Sequence, residues 1–80
     1  GPTAMPAIYD LIRQHKTTLV FTNTRFQAEY TFQELWRINE DGLAIAIHHG
    51  SLDVEQRRRV EAAMAAGRLK AVVCTATLDL

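Results

Sequence analysis

The stretch Lys70-Ala-Val-Val-Cys-Thr-Ala-Thr-Leu-Asp-Leu80 decides how this chain folds. Its short apolar run, Ala71 to Cys74, suits a strand covered on both faces, and it passes straight into hydroxyl side chains. Two earlier runs have the same form: Leu19-Val-Phe21 leads into Thr22-Asn-Thr-Arg25, and Ile45-Ala-Ile47 leads into His48-His-Gly-Ser51. Strands that alternate with helices call for crossover connections and a parallel sheet. In a parallel sheet all three polar endings lie on one rim, where open α/β sheets bind their ligands.

The intervening segments carry helical periodicity. After Pro6, a favourable first helical residue, Ile8, Leu11, Ile12 and His15 recur on one face. Thr17 to Thr22 is a strand, and Ala28, Phe32, Leu35, Trp36 and Asn39 then form a helical stripe, with the two aromatics read as core. Asp41-Gly42 makes a turn into a second strand, Leu43 to Ile47. Asp53 with Gln56 reads as a capping box, Val60, Ala63 and Met64 as the buried stripe of a third helix, and Gly67 with Leu69 as its C-terminal cap. The predicted order is α-β-α-β-α-β, three parallel strands with alternating helices. Three strands are few for such a sheet, so the chain is expected to be part of a larger domain.

Eighty residues make at most one small domain. Hydrophobic residues are 48% and charged residues 22%, a globular composition, and no apolar run approaches the ~20 residues that cross a bilayer. Nine basic residues balance nine acidic ones, so any polyanion site must be local. One cysteine, Cys74, cannot form an internal disulfide, which fits a reducing compartment. Gly1 to Met5 has neither the charged nor the apolar region of a signal peptide and reads as a cloning remnant.

Each strand ending places polar groups just before a helix N-terminus, where free N–H groups and the dipole favour a phosphate oxygen. Thr22, Asn23, Thr24 and Arg25 read either as helix-cap chemistry or as a ligand contact. Of His48 and His49, one is expected to be structural and the other to touch a ligand; no metal-ligand set accompanies them. Thr75 and Thr77 would aim their hydroxyls the same way if the extended backbone persisted through Ala76. Arg57, Arg58 and Arg59 read as a solvated helix face, and Cys74 as a core residue. The sequence has no Gly-x-x-x-x-Gly-Lys-Ser/Thr phosphate loop.

Taken in order, these residues resemble known helicase motifs. Leu19-Val-Phe-Thr-Asn-Thr-Arg25 resembles helicase motif IV, His48-His-Gly-Ser-Leu52 the following His-Gly motif, and Val72-Val-Cys-Thr-Ala-Thr-Leu-Asp-Leu80 the first part of motif V. Together they resemble the second RecA-like, P-loop-NTPase-type domain of superfamily 2 helicases. The likeness is nearest to Lhr-type enzymes and the ligase-associated DNA-damage-response DExH-box helicases, through His48 to Asp53 and Gln56-Arg-Arg-Arg-Val-Glu-Ala-Ala-Met64.

The resemblance implies a partial RecA-like domain over residues 6–80, interrupted within motif V, from a bacterial, cytoplasmic DNA-repair enzyme. It implies an ATP-driven 3′-to-5′ translocase using ATP and Mg²⁺, acting on single-stranded DNA or on a DNA/RNA duplex with a single-stranded tail. Thr22, Asn23, Thr24 and Arg25 would contact the strand's backbone, His49 and Gly50 would line its path, and Thr75 would bind a phosphate. No catalytic residue, complete cofactor site or metal ligand falls in this segment; a first RecA-like domain would be its partner. The alternatives are a stand-alone phosphate- or nucleotide-binding α/β module, and a non-catalytic fragment that self-associates through a sheet edge and apolar side chains such as Ile45, Val72 and Leu78.

Overall fold

A computed structural model of the chain describes residues 4–76. The elements follow the expected order: α1 (Ala4–Gln14), β1 (Thr18–Thr22), α2 (Arg25–Arg37), β2 (Ile45–His48), α3 (Val54–Ala65) and β3 (Ala71–Thr75). The strands form one parallel sheet in the order β1-β3-β2. The last strand is therefore the central one, and all five of its residues are buried. That burial explains its unbroken apolar run: a central strand of a parallel sheet has no solvent face.

Strand alternation sorts the core into two sides. Val20, Ile45, Ile47, Ala71 and Val73 join Tyr9 and Ile12 of α1 and Ala28 and Leu35 of α2 in one cluster. Val72 and Cys74, also fully buried, lie on the opposite face. His48 pairs in register with Cys74 and meets Glu61 of α3, Nε2 to Oε2, at 2.7 Å, which puts α3 on that second face. The sheet is thus sandwiched between α1 and α2 on one side and α3 on the other.

The coverage is uneven, and several expectations change with it. No residue of α3 is fully buried; Val60, Ala63 and Met64 are half-buried, because of the three strands α3 packs chiefly against edge strand β2. Val72 and Ile45, expected to lack cover, are 0% and 5% exposed. The apolar surface of the sheet lies instead on β1, where Leu19 and Phe21 are 36% and 57% exposed; Leu78 lies outside the described residues.

The face that α1 buries is rotated from the expected one. Leu11 and His15 are exposed, while Tyr9 and Ile12 are buried and Met5 and Ile8 are half-buried. Tyr9 sets the rotation. Its hydroxyl lies 2.8 Å from Asp41 Oδ2 and 2.9 Å from Asn39 Oδ1 and accepts from the Asp41 N–H at 3.1 Å. Asn39 in turn clasps the backbone of Leu43, accepting from its N–H at 2.8 Å and donating to its carbonyl at 2.9 Å. Gly42, with φ +64°, supplies the left-handed residue the turn needs. With Leu43 held by Asn39, β2 begins at Ile45 rather than Leu43.

Helix ends are closed by several devices. His15 Nδ1 donates to the Leu11 carbonyl at 2.8 Å and Lys70 Nζ to the His15 carbonyl at 2.6 Å, capping α1. Gly67, φ +71°, ends α3 in a Schellman motif: its N–H bonds the Met64 carbonyl and the Arg68 N–H bonds the Ala63 carbonyl, each at 3.0 Å. The start of α3 differs from expectation. Asp53 occupies the N-cap, but its carboxylate takes no cap hydrogen bond, so the Asp53/Gln56 capping box does not form. Trp36, expected in the core, is 44% exposed; its ring packs edge-on to half-buried Phe32 at 6.4 Å, and its indole N–H bonds the Ile45 carbonyl at 3.2 Å.

Tyr9→Phe should lower unfolding free energy by about 1–2 kcal/mol, since it strips partners from Asn39 and Asp41. Leu11→Ala, on the exposed side, should change it by less than about 0.5 kcal/mol. Urea titration measures both. Burial, aided by the Asp41 carboxylate, raises the Tyr9 phenol above its ordinary value, so the fold favours the neutral form. That contribution is complete below the unfolded value of about 10 and fades as pH rises through the higher folded one, so the gap between wild type and Tyr9→Phe should close in strong alkali.

Candidate nucleic-acid interface

Parallel pairing brings the three polar endings together. Thr22 lies opposite Thr75, and His48 opposite Cys74, so β1, β3 and β2 all end on one rim. The turn after β1 and the turn after β2 both leave from that rim, leading to the N-termini of α2 and α3.

At the first turn the hydroxyls serve the fold. Thr22 Oγ1 lies 3.0 Å from the Cys74 carbonyl and 3.3 Å from that of Thr24, and its one proton is shared between them. Thr24 is the N-cap of α2: its Oγ1 accepts from the Gln27 N–H at 3.1 Å, and Gln27 Oε1 accepts from the Asn23 N–H at 3.0 Å. This is a capping box with its return bond moved one residue upstream. It leaves the side chains of Asn23 and Arg25 exposed, without hydrogen bond or ion pair among the described residues. The two readings of this cluster therefore divide by residue: Thr22 and Thr24 build the turn, and Asn23 and Arg25 face outward from it.

The second turn is held from inside. Neither histidine is a surface group: His48 is 7% and His49 3% exposed. The Ser51 N–H donates to His49 Nδ1 at 3.2 Å, so the neutral ring carries its hydrogen on Nε2. That Nε2 is buried and 3.4 Å from Glu29 Oε2, near enough for attraction but without hydrogen-bond geometry. His49 thus reaches the rim through the Gly50-Ser51 backbone it braces. Gly50 is exposed, its φ is not positive, and a Cβ built on it meets nothing within 4 Å. Nothing inside the fold requires glycine there.

Thr75 ends the central strand 8% exposed. The backbone turns at Ala76, so the extended form does not carry on, and Thr77 lies outside the described residues. Burial pushes the Cys74 thiol above its usual range, which keeps it an inert core group. Arg58 and Arg59 are solvated as expected, but Arg57 is half-buried with an unpartnered Nε. Among the described residues, no three His, Cys, Asp or Glu side chains gather as metal ligands do, and no helix is long and apolar enough to cross a membrane.

The helicase conserved C-terminal domain family matches residues 3–80. This chain belongs to that family. It is 41% identical over 78 residues to the ATP-dependent helicase Lhr-Core of Sulfolobus acidocaldarius, covering 91% of this chain and 9% of the relative. It is 40% identical over 83 residues to Lhr-Core of Methanothermobacter thermautotrophicus, covering 100% and 10%. Among solved structures, the Mycobacterium smegmatis helicase Lhr bound to ssDNA and AMP-PNP superposes with a TM-score of 0.90 at 38% identity, over 99% of this chain and 11% of that one. The helicase C-terminal segment thus spans about a tenth of the length of these relatives, and its three-stranded α/β fold is RecA-like.

One feature beside this rim is absent from the residues singled out above. Phe26 and Tyr30, four residues apart on α2, are 80% and 56% exposed. The signal was present as a second helical stripe, opposite the one formed by Ala28, Phe32 and Leu35.

Thr24→Ala should lower stability by about 1 kcal/mol, the usual cost of losing an N-cap oxygen. Arg25→Ala should change it by less than about 0.5 kcal/mol. Denaturant titration of the two variants checks this division of roles.

Proposed function

We propose that this segment is the first part of the second RecA-like domain of an Lhr-type, ATP-driven helicase that moves 3′-to-5′ on DNA and serves DNA repair in the bacterial cytoplasm. Its role there is to grip the backbone of the tracking strand. The observation that carries this reading is the shared rim, where Thr22 and Thr75 stand in register and the Gly50 turn leaves from the neighbouring strand end. The similarity to Lhr helicases, one of them solved with ssDNA, supports it.

In this reading the exposed Asn23 and Arg25 meet phosphate oxygens directly, Arg25 supplying a local charge on a chain of zero net charge. Thr22 and Thr24 fix the turn that presents them. Gly50 lets the backbone approach closely, and His49 positions it. Thr75 binds a phosphate at the end of the central strand. The sequence has no phosphate loop, and in this reading ATP and Mg²⁺ are held jointly with another domain. Those groups belong to the junction with a first RecA-like domain.

Gly50→Ala is the most informative variant, because the fold has room for the added methyl. In the intact helicase it should weaken binding to single-stranded DNA similarly for unrelated sequences while leaving ATP affinity and thermal stability unchanged. Thr75→Ala should also weaken DNA binding more than ATP binding, and the salt slope should become shallower by about one contact. Filter binding across a salt series reads both effects. DNA affinity unchanged in both variants would reject the rim as the tracking-strand site. The 80-residue chain by itself should show no DNA-stimulated ATP hydrolysis.

A further inference from the structure

Phe26 and Tyr30 are the residues whose exposure the fold does least to explain. Both lie on α2, where i and i+4 side chains stack one above the other about 6 Å apart along the axis. Phe26 is 80% and Tyr30 56% exposed, and together with Arg25, Glu29 and Gln33 they line a shallow open depression. They stand on the side of the helix away from Ala28 and Leu35, which are fully buried.

We infer that Phe26 and Tyr30 form a stacking platform for the bases of a single strand whose backbone lies on the rim. This rests on the rim reading given above. Two features favour that occupant. The platform is continuous with the rim, since Arg25, the exposed cation of the first turn, directly precedes Phe26. The depression is also charged at its rim end, where Arg25 attracts phosphate, while the Glu29 carboxylate is drawn to His49 Nε2, 3.4 Å away. A strand laid here keeps its backbone at Arg25 and turns its bases onto the rings, with Glu29 and Gln33 able to hydrogen-bond base edges. Aromatic rings accept any base by its π-face, so the platform adds affinity without sequence preference.

The test compares, in the intact helicase, equilibrium binding of an oligothymidylate with an abasic strand of the same length and charge. The expected result is that Phe26→Ala lowers oligothymidylate affinity about tenfold and leaves abasic affinity unchanged, while Phe26→Trp keeps the wild-type ratio. Tyr30→Ala should act the same way more weakly. Phe26→Leu, which keeps apolar bulk, should resemble Phe26→Ala, separating stacking from simple burial. Equal losses on both strands, or no change on either, would overturn the platform. So would a concentration-dependent dimer that Phe26→Ala abolishes with the ratio intact, because the surface would then serve a second copy of the chain. If Gly50→Ala leaves both affinities untouched while Phe26→Ala shifts the ratio, the rim reading fails and the stacking contact stands.

Discussion

Everything in this molecule depends on the last strand lying in the middle. β1 and β2 share no hydrogen bonds; each pairs only with β3. Until Ala71 to Thr75 is in place there is no sheet, and the faces of α2 and α3 have nothing to cover. The ties that seat β3 are long in sequence: Thr17 Oγ1 to the Leu69 carbonyl at 3.0 Å, the Thr18 N–H to the Lys70 carbonyl at 3.0 Å, and Thr22 Oγ1 to the Cys74 carbonyl at 3.0 Å. Ordering so much chain before such contacts form is entropically costly, which favours slow, cooperative assembly over strand-by-strand growth.

The same constraint makes the rim. Parallel pairing to one central strand forces the ends of β1 and β2 to the same side, so residues far apart in sequence share an edge. The hydroxyls expected to serve a ligand are largely spent on holding that edge. Thr22 fastens β1 to β3, and Thr24 caps α2, while His49 is buried and braces the Gly50 turn. Exposed chemistry at the two turns includes an amide at Asn23, a guanidinium at Arg25, bare backbone at Gly50 and the hydroxyl of Ser51. Rigid support behind a few outward groups suits recognition of a repeating, charged backbone, where placement matters more than the number of donors.

α2 joins the core to the rim. Its inner stripe, Ala28 and Leu35, belongs to the main core, and Trp36 ties it to β2 through the Ile45 carbonyl. Its outer stripe carries Phe26 and Tyr30 into solvent beside the rim. A helix so firmly seated can hold exposed aromatics at fixed positions, which a loop cannot do. α3 is seated more lightly: it has no fully buried side chain, and its link to the sheet includes the His48–Glu61 pair at 2.7 Å.

The element order, the parallel sheet and the shared rim were legible in the sequence because they follow from local pattern. Apolar runs of strand length, helical stripes between them and the chirality of crossovers leave few topologies. Which rim residues face outward was not legible. A threonine hydroxyl has the same character whether it bonds a carbonyl of the next strand or a phosphate, and only the position of Cys74 decides the matter for Thr22. Helix rotation behaves likewise. The stripe through Ile8, Leu11 and Ile12 and the one through Ile8, Tyr9 and Ile12 both have helical spacing, and the choice fell to a phenol meeting Asn39 and Asp41 some thirty residues away. By itself the sequence determined the architecture and the shared rim, since periodicity is a local property. Tertiary structure alone decided the work of each side chain, since a polar group's role depends on partners the fold brings from elsewhere.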